Sequence, residues 1–353
     1  MKRIILSGGG TGGHIYPAVT IARELENVEP VEILFVGTPN GMESRIIPEE
    51  GYRFASIPAS GLKRKITFEN VKILCRTVGS YVCGPILMAA ALSHIPTMIQ
   101  EQNVIPGVTN KILSHVVDRV ALGYKEAKAR FPVQDKCVYT GNPTRPAIRE
   151  AKRDESRKKL GIRPDDFMVL IAGGSRGARN INNAMLGVHR HFKDTLGLCL
   201  YHVTGTRDYG NVLKELGEVD ERGYYGSSSR IVDYQHDMPS AMAAADLVIY
   251  RAGAVGLAEV AVRGLPSILI PYPYAAEDHQ TYNARVFVAA GAAKMIEDKY
   301  LTAQELIQDI EELHNHKDVL AGMAEAAEKL GKASAGADIA HMALELAGKK
   351  GER

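Results

Sequence analysis

The residues that could do chemistry gather first at a glycine-rich turn. Gly8, Gly9, Gly10, Gly12 and Gly13 crowd the stretch SGGGTGGHIYP, which follows the apolar run Ile4–Leu6 and carries His14 at its end. A backbone without side chains reaches φ > 0 and brings its N–H groups close to a ligand. A helix N-terminus behind it adds partial positive charge, a combination that suits phosphate. The spacing is neither the dinucleotide GxGxxG nor a Walker A loop, which ends in Lys and Ser or Thr. The same stretch also reads as a tight turn with no ligand. His14 titrates near neutrality and could serve as a general base. By itself it reads first as a cap or a surface side chain.

A second turn, with Gly173, Gly174, Ser175 and Gly177, follows Phe167–Ala172 and opens another helix. Arg176 and Arg179 beside it add charge that would suit a diphosphate. Further on, Glu259 lies mid-helix in RAGAVGLAEVAVRG. Its carboxylate could accept two hydrogen bonds from a vicinal diol such as ribose, or simply lie on a solvated face. Gln280 and Asn283 in DHQTYNA place two amides three residues apart on one helical face, where they would suit sugar hydroxyls. There is no Asp-x-Asp triplet to hold a divalent metal, so neither a metal nor a cofactor is expected.

The elements that must position these residues alternate. Short apolar runs at Ile33–Val36, Thr97–Gln100, Arg119–Leu122, Cys137–Thr140, Leu198–Val203, Arg230–Val232, Leu247–Tyr250 and Ser267–Pro271 predict buried strands. Between them lie helical patterns such as Ala18, Ile21, Ala22 and Leu25, with Pro17 expected to open that helix. Ala254–Arg263 and Thr281–Ala290 are two more. Strand and helix in turn predict an α/β chain with parallel sheets covered on both faces. At 353 residues about two domains are expected. The two glycine turns echo each other, each preceded by a strand and followed by a helix, which predicts two Rossmann-like domains facing across a cleft. Their bounds are read as 1–150 and 151–336, with Gly141 to Asp166 as linker. A last helix, Asp338 to Ala347 within 337–353, follows the small-residue break Ala333–Gly336 and would pack back on the first domain. The alternative is one sheet carrying a long surface loop.

Composition excludes several classes. A net charge of +2, no Trp and 6% aromatic residues argue against a nucleic-acid surface. The four cysteines, Cys75, Cys83, Cys137 and Cys199, form no CxxC pair and read as reduced core residues. The N-terminal apolar run is too short for a signal-peptide core. The stretch Val82 to Leu92 is broken by Gly84 and Pro85 and falls short of a membrane span. A cytosolic protein is expected, free to sit on a membrane surface.

In order along the chain, GGTGGHIYPA, QEQNVIPGVTNK, GNPTRP, GGSRGA, ADLVIYRAGA, EVAVRGLPSILIPYP and DHQTYNA resemble the MurG glycosyltransferases over nearly the whole length. The resemblance implies a GT-B fold and a cytoplasmic-face, peripheral membrane enzyme of peptidoglycan synthesis. The reaction implied is inverting transfer of N-acetylglucosamine from UDP-GlcNAc to the MurNAc C4 hydroxyl of undecaprenyl-diphosphate-MurNAc-pentapeptide. The partners implied are those two substrates, anionic lipid of the inner membrane, and cell-wall synthesis proteins. On the donor side it implies Arg145 and Ser175 at the diphosphate, Glu259 at the ribose, and Gln280 and Asn283 at the GlcNAc hydroxyls. Thr11, Gly12, Gly13 and Asn103 are also implied there. On the acceptor side it implies Gly10, Gly13, His14, Tyr81 and Asn103, with His14 as base.

The chain departs from the family's pattern at two places. Arg176 stands where most of the family has Gln. Before Tyr81 the run TFENVKILCRTVGSYVCGP is shorter by about 15–20 residues, the length of a helix and a strand. Ser80 replaces the second glycine of the family's GGY. The first domain is therefore expected to lack one helix and one strand, or to replace that strand with VKILCRTV at 71–78. The basic run Lys63, Arg64, Lys65 would then give salt-sensitive membrane docking. A UDP-GlcNAc 2-epimerase shares the fold, but the EQN and GGTGGH motifs argue against it; a catalytically weak UDP-GlcNAc-binding protein disabled by the shortened 66–80 segment stays open.

Overall fold

The computed structural model describes residues 1–57, 83–174 and 178–348. The chain divides into two compact units, Met1–Arg145 with Lys332–Arg353, and Pro146–Gly331.

In the first unit the elements run β1 (Lys2–Leu6), α1 (Gly12–Val28), β2 (Val31–Gly37), α2 (Glu43–Glu49), β3 (Arg53–Ser56), α3 (Cys83–Leu92), β4 (Met98–Glu101), α4 (Val108–Leu113), β5 (Arg119–Leu122) and β6 (Cys137–Tyr139). They build two parallel three-stranded sheets, ordered β1-β2-β3 and β4-β5-β6. Among the described residues no strand pairs β1 with β4. The segment 71–78, expected to bear on that gap, lies outside the described residues. One core joins the two sheets: Ile15, Ala22 and Leu25 of α1, Phe35 of β2 and Ile47 of α2 pack with Ala121 of β5. Ile339 and Leu344 of the C-terminal helix, Ala335–Gly348, close the same core. Each such fully buried Leu, Ile or Phe is worth about 1.5–3 kcal/mol.

Two expectations shift here. Pro17 does not open α1; the helix starts at Gly12 and carries Pro17 inside. The reason is Thr11, which is extended at φ −146° and receives the N–H groups of His14 and Ile15 on its carbonyl. Pro17 then forfeits only the N–H that would have met Gly13. Likewise the small residues Ala335 and Gly336 do not break the chain but form the first turn of the C-terminal helix. A Cβ on Gly336 would come within 3.0 Å of the Glu24 side chain of α1, so smallness there permits close packing.

The second unit runs α5 (Pro146–Glu150), α6 (Arg153–Leu160), β7 (Phe167–Ala172), α7 (Arg179–His191), β8 (Leu198–Val203), α8 (Tyr209–Leu216), β9 (Tyr224–Tyr225), β10 (Ser229–Val232), α9 (Met238–Ala244), β11 (Leu247–Tyr250), α10 (Ala254–Val262), β12 (Ser267–Leu269), α11 (His279–Ala289), β13 (Ala293–Met295), α12 (Ala303–Asn315) and α13 (Lys317–Leu330). Its sheet has the order β13-β12-β11-β7-β8-β10-β9, parallel except for β9. The chain leaves β7 toward β8 on one side and returns to β11 on the other. The carboxyl ends of β7 and β11 therefore flank a topological switch point, where such sheets bind ligands.

The stretch 141–166 is not a linker. It holds α5 and α6, and the boundary falls at 145/146 because both helices pack on the second unit. Arg157 explains the attachment. It is only 2% exposed and donates to the carbonyls of Ala244, Arg163, Pro164 and Asp166 and to the Asp246 carboxylate. A buried guanidinium needs that full set of acceptors. The strands β3, β9 and β13 carry no period long enough to be read from sequence.

Between α7, β8 and β10 runs a buried chain of polar groups. Asn182 Nδ2 donates to the Thr204 carbonyl (2.9 Å) and to Asp208 (3.2 Å). Its Oδ1 must therefore accept from His202 Nε2, 3.0 Å away. That leaves His202 Nδ1 to accept from His189 Nε2 at 3.0 Å, and His189 Nδ1 to accept from the Ser229 hydroxyl at 2.8 Å. Every member is satisfied only with both imidazoles neutral. Burial pushes His189 down to about 3, and burial with the neighbouring ring pushes His202 well below its usual value. In the unfolded chain both titrate near 6.5, so the unfolded state takes up protons below that pH while the folded state does not. Stability should fall between pH 7 and 5, by about 2 kcal/mol for His189 alone, at about 1.4 kcal/mol per pH unit below 6.5. Denaturant unfolding at the two pH values checks this, and the pH dependence should shrink in His189→Gln.

Candidate active site

At the carboxyl end of β1 the glycine stretch turns into α1, and a carboxylate from the next strand–helix unit holds it in place. Glu43, at the start of α2, is 2% exposed. Its Oε2 accepts from the Gly10 N–H at 3.1 Å. Its Oε1 accepts from the Thr38 N–H (3.0 Å) and the Thr38 hydroxyl (2.7 Å). Burial alone would raise its pKa; the donors from Thr38 and Gly10 outweigh that and hold it below the usual value. Glycines make the room: a Cβ on Gly9, Gly37 or Gly41 would come within 2.7 Å of Glu43 atoms. Gly10 itself needs its φ of +86°. His14 follows in the first turn of α1 and is exposed, its N–H on the Thr11 carbonyl at 3.0 Å. The guanidinium of Arg145 lies 5.8 Å from the ring centre of Tyr16 on the same helix.

The motif around Asn103 repeats the device. Buried Glu101, the last residue of β4, accepts from the N–H (2.9 Å) and side chain (3.3 Å) of Asn103, the Gly107 N–H and the Asn110 amide. Asn142 of GNPTRP donates to the Gln102 carbonyl at 2.9 Å and accepts from Gln100 at 2.8 Å. The sequence motifs at 100–111 and 141–146 thus meet at the carboxyl ends of β4 and β6.

In the second unit the carboxyl ends of β7, β11 and β12 bear Gly173–Gly174, Arg251–Gly253 and Ile270–Tyr272. Arg251 ties two of them together, donating to the carbonyls of Ile270 and Pro271 and to Asp298. Glu259 on α10 is 5% exposed and so does not lie on a solvated face. Gln280 accepts from the Tyr272 N–H at 2.9 Å, and fully buried Asn283 donates to the Ala252 carbonyl at 3.2 Å. Both amides of α11 therefore hold the β11 and β12 corners. Arg179 sits 3.8 Å from Asp208. Ser175, Arg176, Gly177 and Tyr81 lie outside the described residues. Among the described residues no three His, Cys, Asp or Glu side chains come together as metal ligands.

The model of the glycosyltransferase family 28 C-terminal domain matches residues 168–341. That of the family's N-terminal domain matches 4–78 and 73–122, two stretches that overlap at 73–78. The chain belongs to glycosyltransferase family 28. The UDP-N-acetylglucosamine–N-acetylmuramyl-(pentapeptide) pyrophosphoryl-undecaprenol N-acetylglucosamine transferase of Desulforamulus reducens is 42% identical over 96% of both chains. The crystal structure of Acinetobacter baumannii MurG matches with a TM-score of 0.75 at 25% identity, over 98% of this chain and 100% of that one. The resemblance to the MurG enzymes and the GT-B fold drawn from the motifs both hold. A UDP-GlcNAc 2-epimerase from Neisseria meningitidis bound to UDP-GlcNAc matches with a TM-score of 0.65 at 14% identity, over 98% of this chain and 100% of that one, which shows the shared fold alone.

The motifs gave no sign of Glu43, Glu101 and Asn142, which hold loops of the first unit, or of Arg251, which holds a corner of the second. The one sequence signal for Glu43 is a cluster of glycines, Gly37 and Gly41, ahead of an acidic residue. Gly13 stands apart from the others in the loop. The nearest atom to a Cβ there would be Thr11 Oγ1 at an ordinary 3.6 Å, and Gly13 is exposed inside a helix. Nothing among the described residues requires glycine at that point, and in a helix glycine costs about 1 kcal/mol relative to alanine. Gly13→Ala should therefore keep or raise the melting temperature while transfer to the acceptor falls at least tenfold. A variant that is both stable and fully active would show that no ligand approaches there.

Proposed function

We propose that this family 28 enzyme transfers N-acetylglucosamine from UDP-GlcNAc to the C4 hydroxyl of MurNAc in undecaprenyl-diphosphate-MurNAc-pentapeptide, with inversion at the anomeric carbon. The observation that carries the reading is the 42% identity to the transferase of that printed name over 96% of both chains. In the reaction the His14 imidazole takes the proton of the attacking hydroxyl. The hydroxyl oxygen bonds to the anomeric carbon as the bond to UDP breaks, and UDP leaves with the electron pair. Charge developing on the diphosphate is met by Arg145, by Ser175 in the second glycine turn and by helix N-termini, donors typically worth about 3–4 kcal/mol each at a transition state. Glu259 takes the ribose diol. Gln280, its Oε1 already on Tyr272, offers its Nε2 to a sugar hydroxyl, while Asn283 holds the backbone just ahead of α10. Thr11, Gly12 and Gly13 lie at the α1 N-terminus, and Asn103 at the end of β4 completes the acceptor side.

The N-terminal domain model matches in two separate stretches that overlap at 73–78, and this supports one second reading, a UDP-GlcNAc-binding protein with little turnover. Release of UDP on adding a lipid-linked MurNAc-pentapeptide analogue separates the two. In that assay His14→Ala should lower kcat by about 10²–10⁴, the usual share of a general base, with UDP-GlcNAc affinity unchanged. Turnover near that of the parent enzyme would remove His14 from the role.

A lipid-linked acceptor would bring the enzyme to a membrane surface, which we take to be the cytoplasmic face. Among the described residues no helix is long and apolar enough to cross one. Docking instead uses the apolar helix α3 and its neighbour α4, which expose Leu92 (77%), Val108 and Ile112, with Ile95 exposed just after α3. Lys63, Arg64 and Lys65 lie outside the described residues. These apolar side chains change the expectation of salt-sensitive docking, because apolar burial is not screened by salt. Sedimentation with anionic-lipid vesicles should persist at high salt and drop in a Leu92→Asp, Ile112→Asp variant. Complete release by salt would assign docking to charge alone.

A further inference from the structure

We propose that Glu43 is a positioning residue for the acceptor side of the site, acting through the glycine loop rather than on substrate. The proposal rests on the reading that this loop and His14 face the acceptor. Its ground is geometric. The carboxylate is nearly inaccessible, yet it is saturated by three donors, two of them backbone N–H groups from different loops. Three glycines from three chain positions, Gly9, Gly37 and Gly41, leave out the Cβ atoms that would occupy its place. A side chain so fully accommodated by its surroundings is built in.

The consequence runs forward along the chain. Pinning the Gly10 N–H onto Glu43 turns that donor away from any ligand. It also fixes Gly10 in the left-handed region at φ +86° and sets Thr11 extended beyond it. Thr11 in turn receives the first N–H groups of α1 on its carbonyl, from His14 and Ile15. On the other side of the loop a Cβ on Gly8 would come 2.9 Å from the His14 carbonyl, so the loop and the first turn of α1 already touch. His14 thus inherits its place from Glu43 through three residues. The division of labour follows: Gly9 and Gly10 serve Glu43, and the N–H groups of Gly12 and Gly13, ahead of those bonded to Thr11, are left for the acceptor.

Glutamine is the sharp probe, since an amide nitrogen in place of either oxygen would face an N–H or O–H donor and lose that bond. In Glu43→Gln, peptides covering residues 7–14 should exchange amide hydrogen at least tenfold faster. kcat/KM for the lipid-linked acceptor analogue should fall about 10–100-fold, with the dissociation constant for UDP-GlcNAc unchanged. A general loss of structure would move the UDP-GlcNAc constant as well, which the proposal forbids. Thr38→Val removes a single donor to the same carboxylate and should give smaller changes in the same direction, keeping the test available if Glu43→Gln folds poorly. Unchanged exchange at 7–14 overturns the proposal by itself. Faster exchange with full acceptor use overturns it through the reading on which it rests.

Discussion

A carboxylate removed from water needs hydrogen-bond donors at both oxygens, and two in the first unit meet this demand. Glu43 and Glu101 each sit at a carboxyl end of a parallel sheet, where loop N–H groups have no strand partner. Each draws those N–H groups inward and so decides the path of a loop. Hydrogen bonds to a charged group are worth about 1.5–3 kcal/mol each, so these loops are held far more firmly than turns bonded only to themselves. The positions of His14 and Asn103 descend from those two carboxylates.

The glycines sort by the same logic. Gly9, Gly37 and Gly41 make room for Glu43, and Gly10 takes a backbone angle that a side chain would resist. Among the described residues nothing gives Gly13 such a duty, nor Gly253, where an added Cβ would meet nothing within 4 Å at an ordinary φ of −70°. Gly253 caps α10 at the switch point of the second sheet, and Gly13 lies in the first turn of α1.

The second unit applies a different constraint to the same end. Its corner at β11 and β12 is held by Arg251, Gln280 and Asn283, and α7 is tied to β8 and β10 through a chain of neutral histidines. Both imidazoles are locked in one tautomer by the Asn182 amide, whose own orientation is forced by the Thr204 carbonyl. This family 28 chain thus holds its loops by side-chain bonds in each unit.

Much of this was legible in the sequence because the signals are local. Buried parallel strands are short apolar runs, and Phe167–Ala172, Leu198–Val203 and Leu247–Tyr250 have the bounds that hydropathy predicts. The motif string likewise determined the family, since glycine turns, helix starts and polar pairs recur at fixed spacing. What the sequence could not decide depends on residues far apart in the chain. The length of α1 depended on Thr11 and not on Pro17, and the attachment of 146–166 depended on Arg157 finding five acceptors. Whether Glu259 and Asn283 were solvated or buried required the tertiary packing. Glu43 shows the limit most plainly: in the sequence it is one acidic residue among many, because a carboxylate's role is set by which donors surround it, and only the folded chain brings Gly10 and Thr38 to it.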